Sequence, residues 1–258
     1  MTHADAALAA RLAQGAGEVL LDLRRTHGPV DGGRELRDAG DRAAQRYLDE
    51  QLSTHRPDDA VLSEEAADDP ARLDAERVWI IDPLDGTREY AEGRSDWAVH
   101  VALWVGGELT AGAVALPGLG VTLSSDPAPQ VPERTSDVVR VAVSRTRPPA
   151  EAEHVARTMS AELVPMGSAG YKAAAVIRGE VDAYIHAGGQ YEWDSAAPVA
   201  VALAAGLHAS RIDGAPMRYN TKDTYIPDLI VARPELGSAL VAACAEVGDV
   251  HTATRSAR

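Results

Sequence analysis

Val78-Trp79-Ile80-Ile81 is a run of four large apolar residues that ends abruptly in Asp82-Pro83-Leu84-Asp85-Gly86-Thr87. A short apolar run bounded by turn residues predicts a buried strand, and a strand buried on both faces needs packed layers above and below it. Pro83 withdraws a backbone donor and Gly86 permits a tight turn, so the strand is expected to stop there. Asp82 and Asp85 then emerge together at the end of a rigid element. The Thr87 hydroxyl follows at the start of the next turn or helix. Carboxylates held so close repel each other unless a cation lies between them. The pattern points to a magnesium site that handles phosphate.

The rest of the chain must supply the layers and more ligands. At 258 residues with 45% hydrophobic content it can build one large domain or two modest ones. A formal net charge of −14, from 39 acidic and 25 basic residues, argues against nucleic acid or an anionic membrane surface as partner. A small phosphorylated partner remains compatible with that charge where bound cations invert the local field. The single cysteine, Cys244, excludes an internal disulfide and a Cys-rich zinc site, and reads as a buried small residue. No basic stretch followed by an apolar core opens the sequence, and no apolar run reaches membrane-spanning length, so a soluble, cytoplasmic protein is expected.

Ala6 to Arg25 has apolar residues at helical spacing. His27 to Gly40 is Gly- and charge-rich and reads as a mobile loop, after which Asp41 is expected to cap a helix over Arg42 to Leu52. Val61-Leu62 predicts a short strand leading into Ser63-Glu64-Glu65. Trp97 to Val105 and Glu108 to Leu116 form a hairpin across Gly106-Gly107, whose exposed face is a candidate for pairing subunits into a homodimer. Ser124 to Asp137, rich in Pro, Ser and Asp, reads as a domain junction. Beyond it strands are expected at Val138–Val143, Glu162–Met166, Val181–His186 and Leu229–Ala232. These alternate with helices at Pro149–Ser160, Ala169–Arg178, Ser195–Ala205 and Pro234–Val247. Such alternation indicates an α/β fold in layers, with an α+β N-terminal lobe over 1–135 and an α/β lobe over 136–258.

Four segments offer acids to one point: Asp41, Glu64, Asp82 with Asp85, and Asp194 in Glu192-Trp193-Asp194-Ser195-Ala196-Ala197-Pro198. Taken singly, Asp41 and Asp194 read as helix caps, Glu64-Glu65 as a solvated turn and Pro83 to Gly86 as a surface turn. Together they form a pattern. Glu64-Glu65, Asp82-Pro83-Leu84-Asp85-Gly86-Thr87 and Trp193-Asp194-Ser195-Ala196-Ala197 resemble, in order and separation, the signature segments of the inositol monophosphatase-like family of magnesium-dependent, lithium-sensitive phosphatases. The resemblance spans about Ala6 to Val247 and implies an αβαβα sandwich like that of the sugar phosphatases.

Residue by residue, the resemblance implies that Glu64, Asp82 and the Leu84 carbonyl hold one magnesium ion. Asp82, Asp85 and Asp194 would hold a second, with a third, looser ion near Glu64. Substrate phosphate would bridge the ions and meet the backbone at Gly86 and Thr87, while Asp41 with Thr87 orients the attacking water. Glu64, Leu84, Asp85 and Asp194 would thereby also border the substrate. The third ion and the water-orienting pair are the loosest part of the match, because the 27–40 segment departs from the family pattern, with Asp38 where a small hydroxyl residue is common.

Arg88-Glu89-Tyr90 after Thr87, and Gly167-Ser168-Ala169-Gly170-Tyr171-Lys172, resemble the nucleotidase branch of that family, the CysQ-type enzymes. These remove the 3′-phosphate of 3′-phosphoadenosine 5′-phosphate, a by-product of sulfate assimilation. On that resemblance Ser168 and Lys172 lie near the substrate, and Ser144 and Arg145, with Arg147, meet a second phosphate; the alternatives are an exposed helix lysine and an ordinary charged turn. Tyr191, Trp193 and Tyr219 are either adenine-stacking faces or packing. Two rival readings stand beside this one: a phosphatase of the same fold acting on inositol 1-phosphate or fructose 1,6-bisphosphate, and a metal-dependent nucleotide binder without turnover.

Overall fold

The computed structural model describes residues 3–27 and 33–256, with side chains through Val247. Two five-stranded sheets form its frame. The first has the order β1 (Ala60–Ser63), β2 (Arg77–Asp85), β3 (Ala98–Val105), β4 (Glu108–Leu116) and β5 (Val121–Ser124), with only β1 and β2 parallel. The second contains β6 (Arg140–Ser144), β7 (Glu162–Met166), β8 (Ala183–Tyr191), β9 (His208–Ser210) and β10 (Tyr225–Ala232), in the order β7-β6-β8-β10-β9. Residues 125–139 join the two sheets.

Seven α-helices among the described residues complete the layers. α1 (His3–His27) and α2 (Arg34–His55) cover the outer face of the first sheet, and the short α3 (Thr87–Ala91) follows β2. α4 (Ala150–Thr158) and α7 (Pro234–Ser256) cover the outer face of the second sheet. α5 (Ala169–Ile177) and α6 (Glu192–Ala204) lie between the sheets. The result is the α/β sandwich of five layers that the alternation and the resemblance imply.

Side-chain parity in β2 explains why its apolar run is unbroken. Val78 and Ile80 belong to the central core with α5 and α6, whereas Trp79 and Ile81 pack with α1 and α2, and all four are fully enclosed. In β3 the same alternation puts Ala98 and Ala102 inward and Val99, Val101 and Leu103 outward. Extending the β2 row by one step places Asp82 on the inward face at the edge of the central helical layer, paired across the strands with His100, which sits between Ala98 and Ala102 in the β3 row.

Several expectations are corrected here. β2 does not stop at Pro83; it continues to Asp85 through an irregularity between Asp82 and Asp85, where Pro83 needs no ladder donor. Of the segment read as a loop, residues 28–32 lie outside the described residues, and 34–40 are helical. Asp41 is therefore inside α2 and caps nothing. The signal was Leu36, Gly40, Ala44, Leu48 and Leu52, a buried row at four-residue spacing in which Gly40 lets Leu84 and Tyr90 pack close. The hairpin of β3 and β4 forms across Gly106-Gly107; most of both strands is buried, and the exposed residues, Gly106 to Glu108, gather at its tip. β8 runs five residues past His186, through Gly188 and Gly189 at positive φ. α6 starts at Glu192, so Asp194 lies in its first turn and Pro198 in its second.

α6 approaches the first sheet closely because small residues face it. At Gly112 of β4, a Cβ would stand 2.6 Å from Ala200 Cβ and 3.1 Å from the Ala197 carbonyl oxygen. Gly112→Ala is expected to destabilise the fold by about 1–3 kcal/mol. The check is a lower urea midpoint with unchanged slope; an unchanged midpoint would contradict this close seating of α6.

Candidate active site

The end of β2 meets the N-terminal ends of α5 and α6. Asp82 is 1% exposed; its Oδ1 accepts the Leu84 N–H at 3.0 Å, and its Oδ2 is buried without a hydrogen-bond partner. Asp85 Oδ2 accepts from Ser168 Oγ at 2.5 Å and from the Gly170 N–H at 2.6 Å. Asp194 Oδ2 accepts the Tyr191 N–H at 2.6 Å, which fixes the carboxylate to the start of α6. Ligand oxygens of Asp82, Asp85 and Asp194 all lie within 4.8 Å of one another. Glu64 follows β1, next to β2, on the parity of inward-facing Leu62, but it stands outside that close group.

Crowding of acids governs the electrostatics of the metal-free protein. Burial raises the Asp82 carboxyl well above its usual range, and Glu64, Asp85 and Asp194 raise it further. Burial, then Asp194 and Asp85, push Glu64 up to about 7. Asp194 rises to about 6 through burial and Asp85. Asp85 is the exception: burial would raise it, but His100, Ser168 and Lys172 together hold it at about 2. The donor set is hard carboxylate oxygen, and one buried oxygen lacks any partner. Those features fit a divalent cation of the magnesium class.

A cleft of about 450 Å³ opens above the acids, and Glu64, Asp85, Gly86, Thr87, Ser144, Arg145, Ser168, Lys172 and Asp194 all line it. Leu84 is buried behind this wall, with no part in the lining. Gly86 has φ 91° and leaves only 3.1 Å between a Cβ and Ser168 Cβ, so the turn and the approach of α5 both favour glycine. Asp41 does not line the cleft and makes no hydrogen bond to Thr87; its carboxyl is raised to about 7 by burial, then by Glu65 and Asp38. Lys172 is not an exposed helix residue. It is 5% exposed, donates to the carbonyls of Gly167 (3.3 Å) and Ser168, and sits 5.2 Å from the Tyr184 ring centroid. Arg145 Nη2 bonds Glu89 Oε1 at 2.8 Å and Glu92 Oε2 at 2.9 Å, while its Nε is buried without a partner. Arg147 is exposed and lies outside the lining.

Of the aromatic candidates, Tyr191 lines the cleft and stacks on Trp193, with centroids 4.9 Å apart at 12°. Tyr219 is packing: it is buried, and its hydroxyl lies 3.2 Å from Ser195 Oγ. Sequence reasoning missed His100, which is fully buried with Nδ1 3.0 Å from the Trp193 carbonyl oxygen and Nε2 3.3 Å from Asp85 Oδ2. A polar residue on the inward parity of an apolar strand was the available signal. Glu89, Gln190, Tyr184 and His186 also line the cleft and were not singled out as site residues.

Layered fold and acidic cleft together define the metal-dependent phosphatase class. The chain belongs to the inositol monophosphatase family, whose family model matches residues 3–248. A 3′-phosphoadenosine 5′-phosphate phosphatase of Mycobacterium leprae (strain TN) is 53% identical over 256 residues, 94% of each chain. The 3′(2′),5′-bisphosphate nucleotidase CysQ of Escherichia coli (strain K12) is 28% identical over 233 residues, 84% of this chain and 94% of that one. Among solved structures, CysQ from Bacteroides thetaiotaomicron superposes with a TM-score of 0.76 at 25% identity, covering 90% of this chain and 97% of its own. No helix among the described residues is long and apolar enough to cross a membrane.

The raised carboxyls set the sign of a pH effect. Because the folded values of Asp194 and Glu64 exceed those of free side chains, their stabilising contribution is full below about pH 4 and is lost as pH rises through about 6 to 7. Asp194→Asn, which keeps an acceptor for Tyr191, is expected to stabilise the metal-free protein by about 1–2 kcal/mol at pH 8 and to leave it unchanged at pH 4. Chemical denaturation in a chelator checks this; a variant weaker than wild type at pH 8 contradicts the crowding.

Proposed function

We propose that this chain is a magnesium-dependent phosphomonoesterase that removes the 3′-phosphate of 3′-phosphoadenosine 5′-phosphate, giving AMP and phosphate. The observation that carries the reading is the convergence of Asp82, Asp85 and Asp194 beneath a cleft lined by Thr87, Ser168 and Arg145. Relatives 53% identical and named for that substrate support the choice of nucleotide.

Asp82, Asp85 and Asp194 would hold one magnesium ion, and Glu64, Asp82 and the Leu84 carbonyl would hold another, with Glu64 bordering a third. When bound, the ions supply Lewis-acid stabilisation of charge on phosphate and lower the pKa of a coordinated water. The chain's own residues do the rest. Gly86 and Thr87 present backbone to the phosphate, and the Thr87 hydroxyl orients the attacking water. The family resemblance pairs Thr87 with Asp41 in orienting that water; Asp41 lies on α2, where that helix packs against α3 and β2, and no hydrogen bond joins the two in this structure. Arg145, whose Nε has no protein partner, meets the 5′-phosphate with Ser144. Lys172 and Ser168 hold the α5 end of the cleft beside Asp85. The lobes 1–135 and 136–258 each contribute one side, with Asp194 completing the metal set from the second.

The test is phosphate release from 3′-phosphoadenosine 5′-phosphate, inositol 1-phosphate and fructose 1,6-bisphosphate, with and without magnesium. The expected result is magnesium-dependent turnover with the highest kcat/KM for the nucleotide. A higher value for either other substrate overturns the nucleotide assignment, and no release from any favours a binder. Asp82→Asn should lower kcat/KM about a hundredfold or more, since it weakens both ion sites at once; full activity would contradict the metal assignment.

A further inference from the structure

We propose that His100 is a positioning residue that braces the metal-binding carboxylates from behind, tying the strand that carries Asp82, the carboxylate of Asp85 and the first turn of the helix that carries Asp194. The inference rests on the metal reading given above and goes beyond it by assigning a part to a residue that touches neither substrate nor, on that reading, any ion.

Three placements carry the argument. His100 pairs with Asp82 across β2 and β3, and its Nδ1 lies 3.9 Å from Asp82 Oδ2. The same Nδ1 donates to the Trp193 carbonyl at 3.0 Å, one residue before Asp194. Nε2 faces Asp85 Oδ2 at 3.3 Å, an ion-pair contact without hydrogen-bond geometry. One rigid ring thus spans every element that supplies the acidic group. Such outer supports fix the orientation of first ligands, and their loss typically weakens metal binding about 10–100-fold.

The surrounding packing is built around the ring. His100 has no solvent exposure, and Gly170 gives it room: a Cβ there would stand 1.8 Å from Nε2. Gly170 also donates its N–H to Asp85 Oδ2, so α5 clamps the carboxylate from one side and His100 from the other. The clamp predicts that Gly170→Ala, which removes no carboxylate and no N–H, disturbs the site by crowding the imidazole.

Mn²⁺ binding to the full-length protein without substrate, read by electron paramagnetic resonance, tests the proposal. His100→Leu and Gly170→Ala should each weaken Mn²⁺ affinity about tenfold or more, while kcat and KM for nucleotide at saturating metal stay within about threefold of wild type. His100→Gln, which keeps a polar side chain able to donate at this position, should recover part of the lost affinity. Wild-type affinity in both His100→Leu and Gly170→Ala overturns the brace. Tighter binding in His100→Leu also overturns it, since that would mark the ring as a competitor of the ion. Should His100→Leu not fold, Gly170→Ala decides alone. Absence of Mn²⁺ binding by the wild type would instead overturn the metal reading itself.

Discussion

Mutual repulsion of buried carboxylates is the constraint on which the rest of this structure depends. Asp82, Asp85 and Asp194 bring oxygens within 4.8 Å of one another in a place from which water is largely excluded. Left alone, such a group favours protonation, and Asp82 and Asp194 both show it. The fold tolerates the arrangement because hydrogen bonds from the backbone hold all three in place. Leu84 donates to Asp82, Gly170 to Asp85 and Tyr191 to Asp194, which opposes any swing of the side chains to relieve the crowding. The energy stored there is available to a cation.

The sheets and helices are arranged to keep that crowding rigid. β2 is buried on both faces, so its end does not move, and the irregularity after Asp82 turns Asp85 toward α5. Ser168 Oγ and the Gly170 N–H then hold Asp85 in place, and His100, Ser168 and Lys172 keep it ionised. On the other side, the N-terminus of α6 is tied down by Glu192. This residue is fully buried and accepts from Asn220 N–H, Thr221 N–H and the Thr221 hydroxyl, while Arg72 bonds Asn220. Asp194 is two residues along from that anchor. The small residues of α6 let the helix lie close against the first sheet, which brings Asp194 within reach of Asp82.

Much of this was legible because it is written in short-range pattern. An apolar run followed by Asp-Pro-Leu-Asp-Gly-Thr announces a buried strand delivering two acids, and the alternation after residue 137 announces layered α/β structure. The start of α2 was obscured because Arg34 to Asp38 is charged, and its one apolar residue, Leu36, joins a buried row only when the whole helix is laid out. Asp194 read as a cap because α6 begins earlier, at a Glu that looks solvent-facing in sequence yet is fully enclosed. Partnerships across more than fifty residues carry no local signature. Arg145 with Glu89 and Glu92, and His100 with Trp193, come together only when the two sheets pack. The burial of Lys172 belongs to the same class, since it depends on Tyr184 lying beneath it.

The central claim is that the end of β2 and the start of α6 form one cation site. Anomalous diffraction from crystals grown with Mn²⁺ in place of Mg²⁺ tests it most directly. A strong peak bonded to oxygens of Asp82, Asp85 and Asp194 is expected. Ordered carboxylates with no peak among them, or manganese bound only elsewhere on this acidic surface, would contradict it.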